Sequence, residues 1–165
     1  MAPHDFPEAY ARFLAPIRAK CRRLLGSGAA ADDAAQEAFV RLWQSGPPID
    51  GTTDARQLLA WLYLTATRIA LDALRQGRWV AAEVSQVPVT SCLASPHDVA
   101  AARSLIVALC GRAKPAELEA ALLARVDGLT QPEVALVLGV SERSVRRLLE
   151  SFDRRSLELR KELVQ

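Results

Sequence analysis

The sequence predicts an all-α chain built from two small helical domains joined by a linker. Apolar residues recur at helical spacing through the first half and the last third of the chain. Alanine, leucine and arginine dominate a composition that is half apolar and only 5% aromatic, which favours helices over strands. Between the helical stretches, residues 80–96 lose periodicity and become rich in valine, serine, threonine and proline, as an interdomain linker does. A length of 165 residues accommodates one ordinary domain or two small ones.

Three helices are expected in the first half. From Glu8 to Leu25, Tyr10, Phe13, Leu14, Ile17, Cys21 and Leu24 follow a helical period, and Gly26-Ser-Gly28 ends it. A second helix, Ala31 to Gln44, carries an apolar face of Ala35, Ala38, Phe39, Leu42 and Trp43 and stops at Gly46-Pro-Pro48. A third runs from Asp54, its N-cap, to Gln76, with Gly77 as its stop. Its inward stripe is Leu58, Leu62, Ala66, Ile69, Ala70 and Ala73. In the linker a short strand at Val87 to Thr90 is weakened by Pro88. Four more helices are expected at His97–Cys110, Pro115–Val126, Gln131–Leu138 and Glu142–Leu163, with Pro115 suited to a first turn.

Several function classes are disfavoured. The apolar runs are interrupted by charge well short of a membrane span, and the first seven residues lack the basic start and apolar run of a secretory signal. Cys21, Cys92 and Cys110 are odd in number and far apart, and His4 and His97 stand in no ligand spacing. Free thiols in a reducing cytoplasm, no metal site and no cofactor are expected. No nucleophile–base pair or phosphate-binding glycine loop appears, so neither enzymatic chemistry nor a small-molecule substrate is expected. The net charge of +2 announces no nucleic-acid binder by itself; the arrangement of charge does.

The most informative segment is Leu129-Thr-Gln-Pro-Glu-Val-Ala-Leu-Val-Leu-Gly-Val-Ser-Glu-Arg-Ser-Val-Arg-Arg-Leu-Leu149. Thr130 and Glu133 form a capping box, with Pro132 in the first turn. Ala135 is small where a second helix crosses, Gly139 permits a tight turn, and Ser141 caps the next helix. Val134, Leu138, Val145 and Leu148 face inward. Together these features describe a helix-turn-helix. The outward face of its second helix carries Glu142, Arg143, Arg146, Arg147 and Glu150, and arginine can pair bidentately with a guanine edge. Arg154 and Arg155 follow on the same helix, where they could neutralise phosphates.

In the third helix, Trp61, Thr65, Arg68, Asp72, Arg75 and Trp79 alternate spacings of four and three, which lines them along one side. Indole and guanidinium groups so placed can stack unpaired bases and hold phosphates. Equally, Trp61 serves as core, and Arg68 with Asp72 forms a surface ion pair worth under about 1 kcal/mol. On the second helix, Asp32, Asp33, Glu37 and Arg41 lie outside the apolar stripe; Glu37 and Arg41 have the favourable order for an ion pair.

The whole layout, from Tyr10 to Leu163, resembles the extracytoplasmic-function group of bacterial sigma factors of the sigma-70 family. Ala31-Asp-Asp-Ala-Ala-Gln-Glu-Ala-Phe-Val-Arg-Leu-Trp43 is similar to the polymerase-binding helix of region 2. Trp61-Leu-Tyr-Leu-Thr-Ala-Thr-Arg-Ile-Ala-Leu-Asp-Ala-Leu-Arg75 resembles the promoter-melting helix, and Asp127-Gly-Leu-Thr-Gln-Pro-Glu-Val-Ala135 through Arg147 resembles the region 4 helix-turn-helix. The resemblance implies a region 2-like domain at 1–79, a linker at 80–96 and a region 4-like domain at 97–165. It implies a transcription initiation factor in the cytoplasm, partnered by core RNA polymerase and promoter DNA, and allows an antagonist anti-sigma protein. Asp32, Asp33, Gln36, Glu37 and Arg41 would face polymerase. Trp61, Arg68, Asp72, Arg75 and Arg78 would lie by the opened downstream element. Arg143, Arg146 and Arg147, supported by Arg154 and Arg155, would engage the upstream element. The chain has Arg68 where the family often has asparagine, and Leu148 and Ser151 where it commonly has arginine. Two other readings stay open: a helix-turn-helix regulator acting without polymerase, and a sigma-like interaction module that has lost promoter recognition.

Overall fold

A computed structural model of the chain describes residues 5–26, 28–47, 54–76 and 108–164. The expected linker at 80–96, the candidate strand within it, Gly77, Arg78, Trp79, Cys92 and most of the helix expected from His97 lie outside those residues; positions 108–112 are helical. Every regular element among the described residues is a helix.

Helices α1 (Asp5–Leu25), α2 (Gly28–Ser45) and α3 (Ala55–Arg75) pack mutually as a three-helix unit. Ile17, Cys21 and Leu24 of α1 meet Ala35, Ala38, Phe39 and Leu42 of α2 and Leu62, Ala66 and Ala70 of α3, all essentially inaccessible. Alanines at the contacts let the helix axes approach closely, and each large side chain buried there contributes roughly 1.5–3 kcal/mol. Asp54 caps α3, its carboxylate accepting from the Arg56 amide at 3.2 Å. The buried stripe of α3 is wider than the expected one: Thr67, Leu71 and Leu74 are buried, while Ile69 and Ala73 are only half-buried. Thr67 is accommodated because its hydroxyl donates to the Tyr63 carbonyl at 2.7 Å. Trp43, expected on the apolar face of α2, is instead 52% exposed and meets only the edge of the helical cluster through Phe6, ring centroids 5.1 Å apart.

The C-terminal unit begins with α4 (Pro115–Ala121), which widens into a π-helical turn, Leu122–Val126. The Asp127 amide donates to the Leu122 carbonyl at 3.1 Å, and Gly128, at φ +72°, turns the chain out. Helices α5 (Gln131–Leu138) and α6 (Glu142–Val164) follow. Ala120, Leu123, Val134, Ala135 and Val145 form their shared core.

The two units do not stand apart. Helix α3 packs against α4, the π turn and α5. The larger buried cluster continues from the three-helix unit into Leu118, Leu122, Phe152 and Leu159, and Tyr63 touches both it and the small core. Cys21 and Cys110 are free and buried, and burial pushes the Cys21 thiol up to about 11, which leaves it unreactive near neutral pH.

Candidate nucleic-acid and polymerase interfaces

The helix-turn-helix is built as its residues require. Glu133 accepts from the Thr130 amide at 2.8 Å and from its hydroxyl at 2.7 Å. Those two bonds favour the ionised carboxylate and hold Glu133 below the usual range. Gly139 ends α5 at φ +66°, ψ +33°, a left-handed conformation that costs an L side chain about 1–2 kcal/mol. Ser141 caps α6, its hydroxyl accepting from the Ser144 amide at 3.2 Å. Val145 is fully buried and Leu148 half-buried against the small core. With that face turned inward, helical geometry leaves Arg143, Arg146 and Arg147 exposed together, flanked by Glu142 and Glu150.

Further along α6, Arg154 is exposed, but Arg155 is not on that free face. Its Nε lies 2.9 Å from the buried carboxylate of Glu117, which also accepts from the Ser151 hydroxyl at 2.9 Å. In the chain without DNA Arg155 is turned inward instead: a carboxylate that is 4% exposed needs a cation, and Arg155 supplies it. Ser151 belongs to the same internal cluster.

On α3, Trp61 is half-buried against the larger core. Arg68 does not pair with Asp72. Its guanidinium bonds Glu119 of α4 through two hydrogen bonds of 2.9 and 3.2 Å, while Asp72 accepts from Arg75 at 3.1 Å. Arg75 also reaches the Cys110 carbonyl at 3.4 Å. The Arg68–Asp72 pair therefore gives way to a better, bidentate partner from the other unit.

On α2, Asp32 is claimed by Arg18, which donates to both its oxygens at 2.9 and 2.7 Å and holds its carboxyl low. Gln36 is exposed, and Arg41 donates to Glu37 at 2.9 Å. Asp33, Glu37 and Arg41 line a cleft of about 650 Å³ whose opposite wall is α3, with Ile69, Asp72 and Gln76. The cleft thus joins residues from both expected surfaces of the first unit.

Sequence reasoning missed a further set. Lys20 is fully buried and donates to Asp127, whose side chain is equally inaccessible. Arg23 donates to the second oxygen of Asp127 at 2.9 Å, and the Lys20 ammonium lies 5.0 Å from the Tyr63 ring centroid. Burial lowers the Lys20 value, and Asp127 opposes that shift. One signal was available. Lys20 falls three residues after Ile17 and four before Leu24, inside the apolar stripe, where a lysine needs a buried partner. Among the described residues no cluster suited to a metal ion occurs, and no helix is long and apolar enough to cross a membrane.

This arrangement has counterparts. Residues 9–80 match Sigma-70 region 2, and residues 115–150 match Sigma-70 region 4. The chain is 30% identical over 130 residues to the ECF RNA polymerase sigma factor SigL of Mycobacterium tuberculosis, covering 75% of this chain and 71% of that protein. It is 29% identical over 148 residues to the RNA polymerase sigma factor CarQ of Myxococcus xanthus, covering 88% and 83%. Among solved structures, CnrH in complex with the cytosolic domain of CnrY shares the fold. It has a TM-score of 0.59 and 23% identity, over 95% of this chain and 88% of that one. The chain belongs to the extracytoplasmic-function sigma factors of the sigma-70 family. It is an RNA polymerase sigma factor, which acts in transcription initiation, and the reading as a stand-alone regulator is not favoured.

Proposed function

We propose a division of labour within this sigma factor. Residues 1–79 bind core polymerase and the opened downstream element, residues 80–96 span the gap, and residues 97–165 read the upstream element. Polymerase is met by Asp33, Gln36, Glu37 and Arg41, with Asp32 setting the α1–α2 angle through Arg18. Trp61, Arg68, Asp72, Arg75 and Arg78 handle the separated strand, and Arg143, Arg146 and Arg147 enter the major groove while Arg154 neutralises a phosphate. The observation that carries this reading is the cluster of three arginines exposed on the second helix of a fully capped helix-turn-helix. Two weak sites joined by a linker gain affinity through effective concentration once polymerase fixes their spacing. The chain works where polymerase does, in the cytoplasm, and performs no chemistry of its own. An antagonist protein that covers the α2 face fits the same reading; CnrH, which shares the fold, was solved with the cytosolic domain of CnrY.

Reconstitution tests it. Purified chain added to core polymerase should give new, discrete transcription starts on genomic fragments. Failure to associate with core in a pull-down, together with no new start, overturns it.

A further inference from the structure

The second helix of the helix-turn-helix is not a plain basic face. Val145 and Phe152 of α6 are buried, and at roughly 100° per residue they lie on almost the same side of the helix. The side opposite them is held by Arg143 and Glu150, with Arg146 and Arg147 to either side. Glu150 therefore projects from the middle of the outward face, around the axis between two arginines. All four residues are exposed. Glu150 follows Arg146 by four positions and Arg147 by three, the spacings at which helical charges pair. Among the described residues, none of the four makes a side-chain hydrogen bond or an ion pair.

Arg143, Arg146, Arg147 and Glu150 stand at i, i+3, i+4 and i+7. A helix lying in the major groove presents side chains to base edges at this spacing. The four cover about 10 Å of helix axis at 1.5 Å per residue, or about three base-pair steps. A carboxylate so placed stands between two walls of phosphate. Ionised, it only accepts hydrogen bonds, so guanine N7 and O6 and thymine O4 repel it. Adenine sets the acceptor N7 beside its amino group, whereas the cytosine amino group is the only polar group that base shows in this groove. Cytosine is thus the base that suits a glutamate. Its guanine partner offers O6 and N7 in the same groove, where an arginine one turn earlier can donate.

We propose that Glu150 is a specificity-determining residue of the upstream-element reader, selecting one cytosine beside guanines taken by the arginines. The proposal rests on the reading that α6 enters the major groove. An all-arginine face gains from phosphates on every sequence. A central carboxylate loses binding wherever no amino group meets it, because it is then desolvated without a partner. Glu150 lowers overall affinity and raises discrimination.

The test uses the full chain bound to core polymerase and a library of promoter duplexes with a random upstream segment; bound DNA is recovered and sequenced. The wild type should enrich a motif with cytosine at one position, favoured about tenfold over the other bases. Glu150→Gln should switch that position to adenine, whose N6 and N7 a glutamine pairs with bidentately. Glu150→Ala should flatten that position alone and bind the library as a whole more tightly. A motif unchanged by Glu150→Gln overturns the proposal and leaves Glu150 a solvated charge. A gain in affinity with no change of preference reduces it to repulsion of phosphates, and overturns it equally. A change at the guanine positions instead makes Glu150 a residue that positions an arginine, which also defeats base reading by the carboxylate. If wild type associates with core yet enriches no upstream motif, the entry of α6 into the groove fails, and the role of Glu150 with it. That result is distinct from a motif that forms and ignores Glu150.

Discussion

Lys20 and Asp127 form a fully buried ion pair across 107 residues of sequence, and the pair is asymmetric: Asp127 has a second cation, Arg23 at 2.9 Å, whereas Lys20 has no second carboxylate among its bonded partners. Removing one member of a buried pair strands the other, at a cost of about 3–5 kcal/mol. Asp127→Ala strands Lys20 entirely and should lose stability in that range by urea unfolding. Lys20→Met leaves Asp127 with Arg23 and should lose clearly less. Equal losses would show that Arg23 contributes nothing to holding Asp127.

The turn of the helix-turn-helix is the next place where a small change should tell. At φ +66°, Gly139 occupies a region that any Cβ disfavours, although no atom lies within 4 Å of where that Cβ would go. The cost of Gly139→Ala is therefore backbone strain alone, about 1–2 kcal/mol. Thr130→Ala removes a capping side chain and should cost about 1 kcal/mol. Thermal unfolding checks both, and a loss above about 4 kcal/mol at Gly139 would point to steric overlap instead.

Acid should weaken the molecule through particular carboxylates. Glu133 is held low by bonds from Thr130, and Asp32 by Arg18. Their folded values lie below the unfolded ones, near about 4.3 and 3.9. The stability they contribute is complete above those unfolded values and is lost as pH falls through the folded ones. Carboxyl NMR titration should place both midpoints below the unfolded values. Glu133→Gln should make acid unfolding less steep, and an unchanged steepness would remove the capping box from the acid response.

Much of this was legible in the sequence because it is local. Asp54, Thr130 with Glu133, Gly139 and Ser141 act on backbone within a few residues of themselves, and each does what its type and spacing imply. The Glu37–Arg41 pair is local in the same sense. The misreadings are all long-range. Arg68 prefers a carboxylate 51 residues away to one four residues away, because Glu119 offers two aligned oxygens in a nearly dry site. Arg155 turns to Glu117 through a single close contact, drawn by the charge of a buried carboxylate that is far from it in sequence and within reach only because the fold brings α4 and α6 together. Trp43 sits on the periodic face of α2 but beyond the end of what α1 and α3 cover. Periodicity finds a face; it does not say how far the opposing surface extends. The departures at Arg68 and Ser151 from residues common in the family both fall in these long-range clusters, so each change of residue type comes with its own partner.

The arginines of α6 should separate into three behaviours when each is changed to alanine and the reconstituted holoenzyme is measured on an upstream element. Arg146 and Arg147 are exposed beside one another on the first turns of α6. If they read base edges, each loss should cost roughly 1–3 kcal/mol and relax preference at one position of the element. Arg154 is exposed two turns further along, where a phosphate contact would weaken all sequences alike and reduce the salt dependence of binding by about one ion. Arg155 is committed to Glu117. Its loss should leave the salt dependence unchanged and instead destabilise the C-terminal unit, because Glu117 would stay buried with only the Ser151 hydroxyl and the Lys114 amide to meet it. A salt slope that falls for Arg155→Ala as much as for Arg154→Ala would mean that Glu117 releases this arginine on DNA, and that the internal pair exists only in the unbound chain.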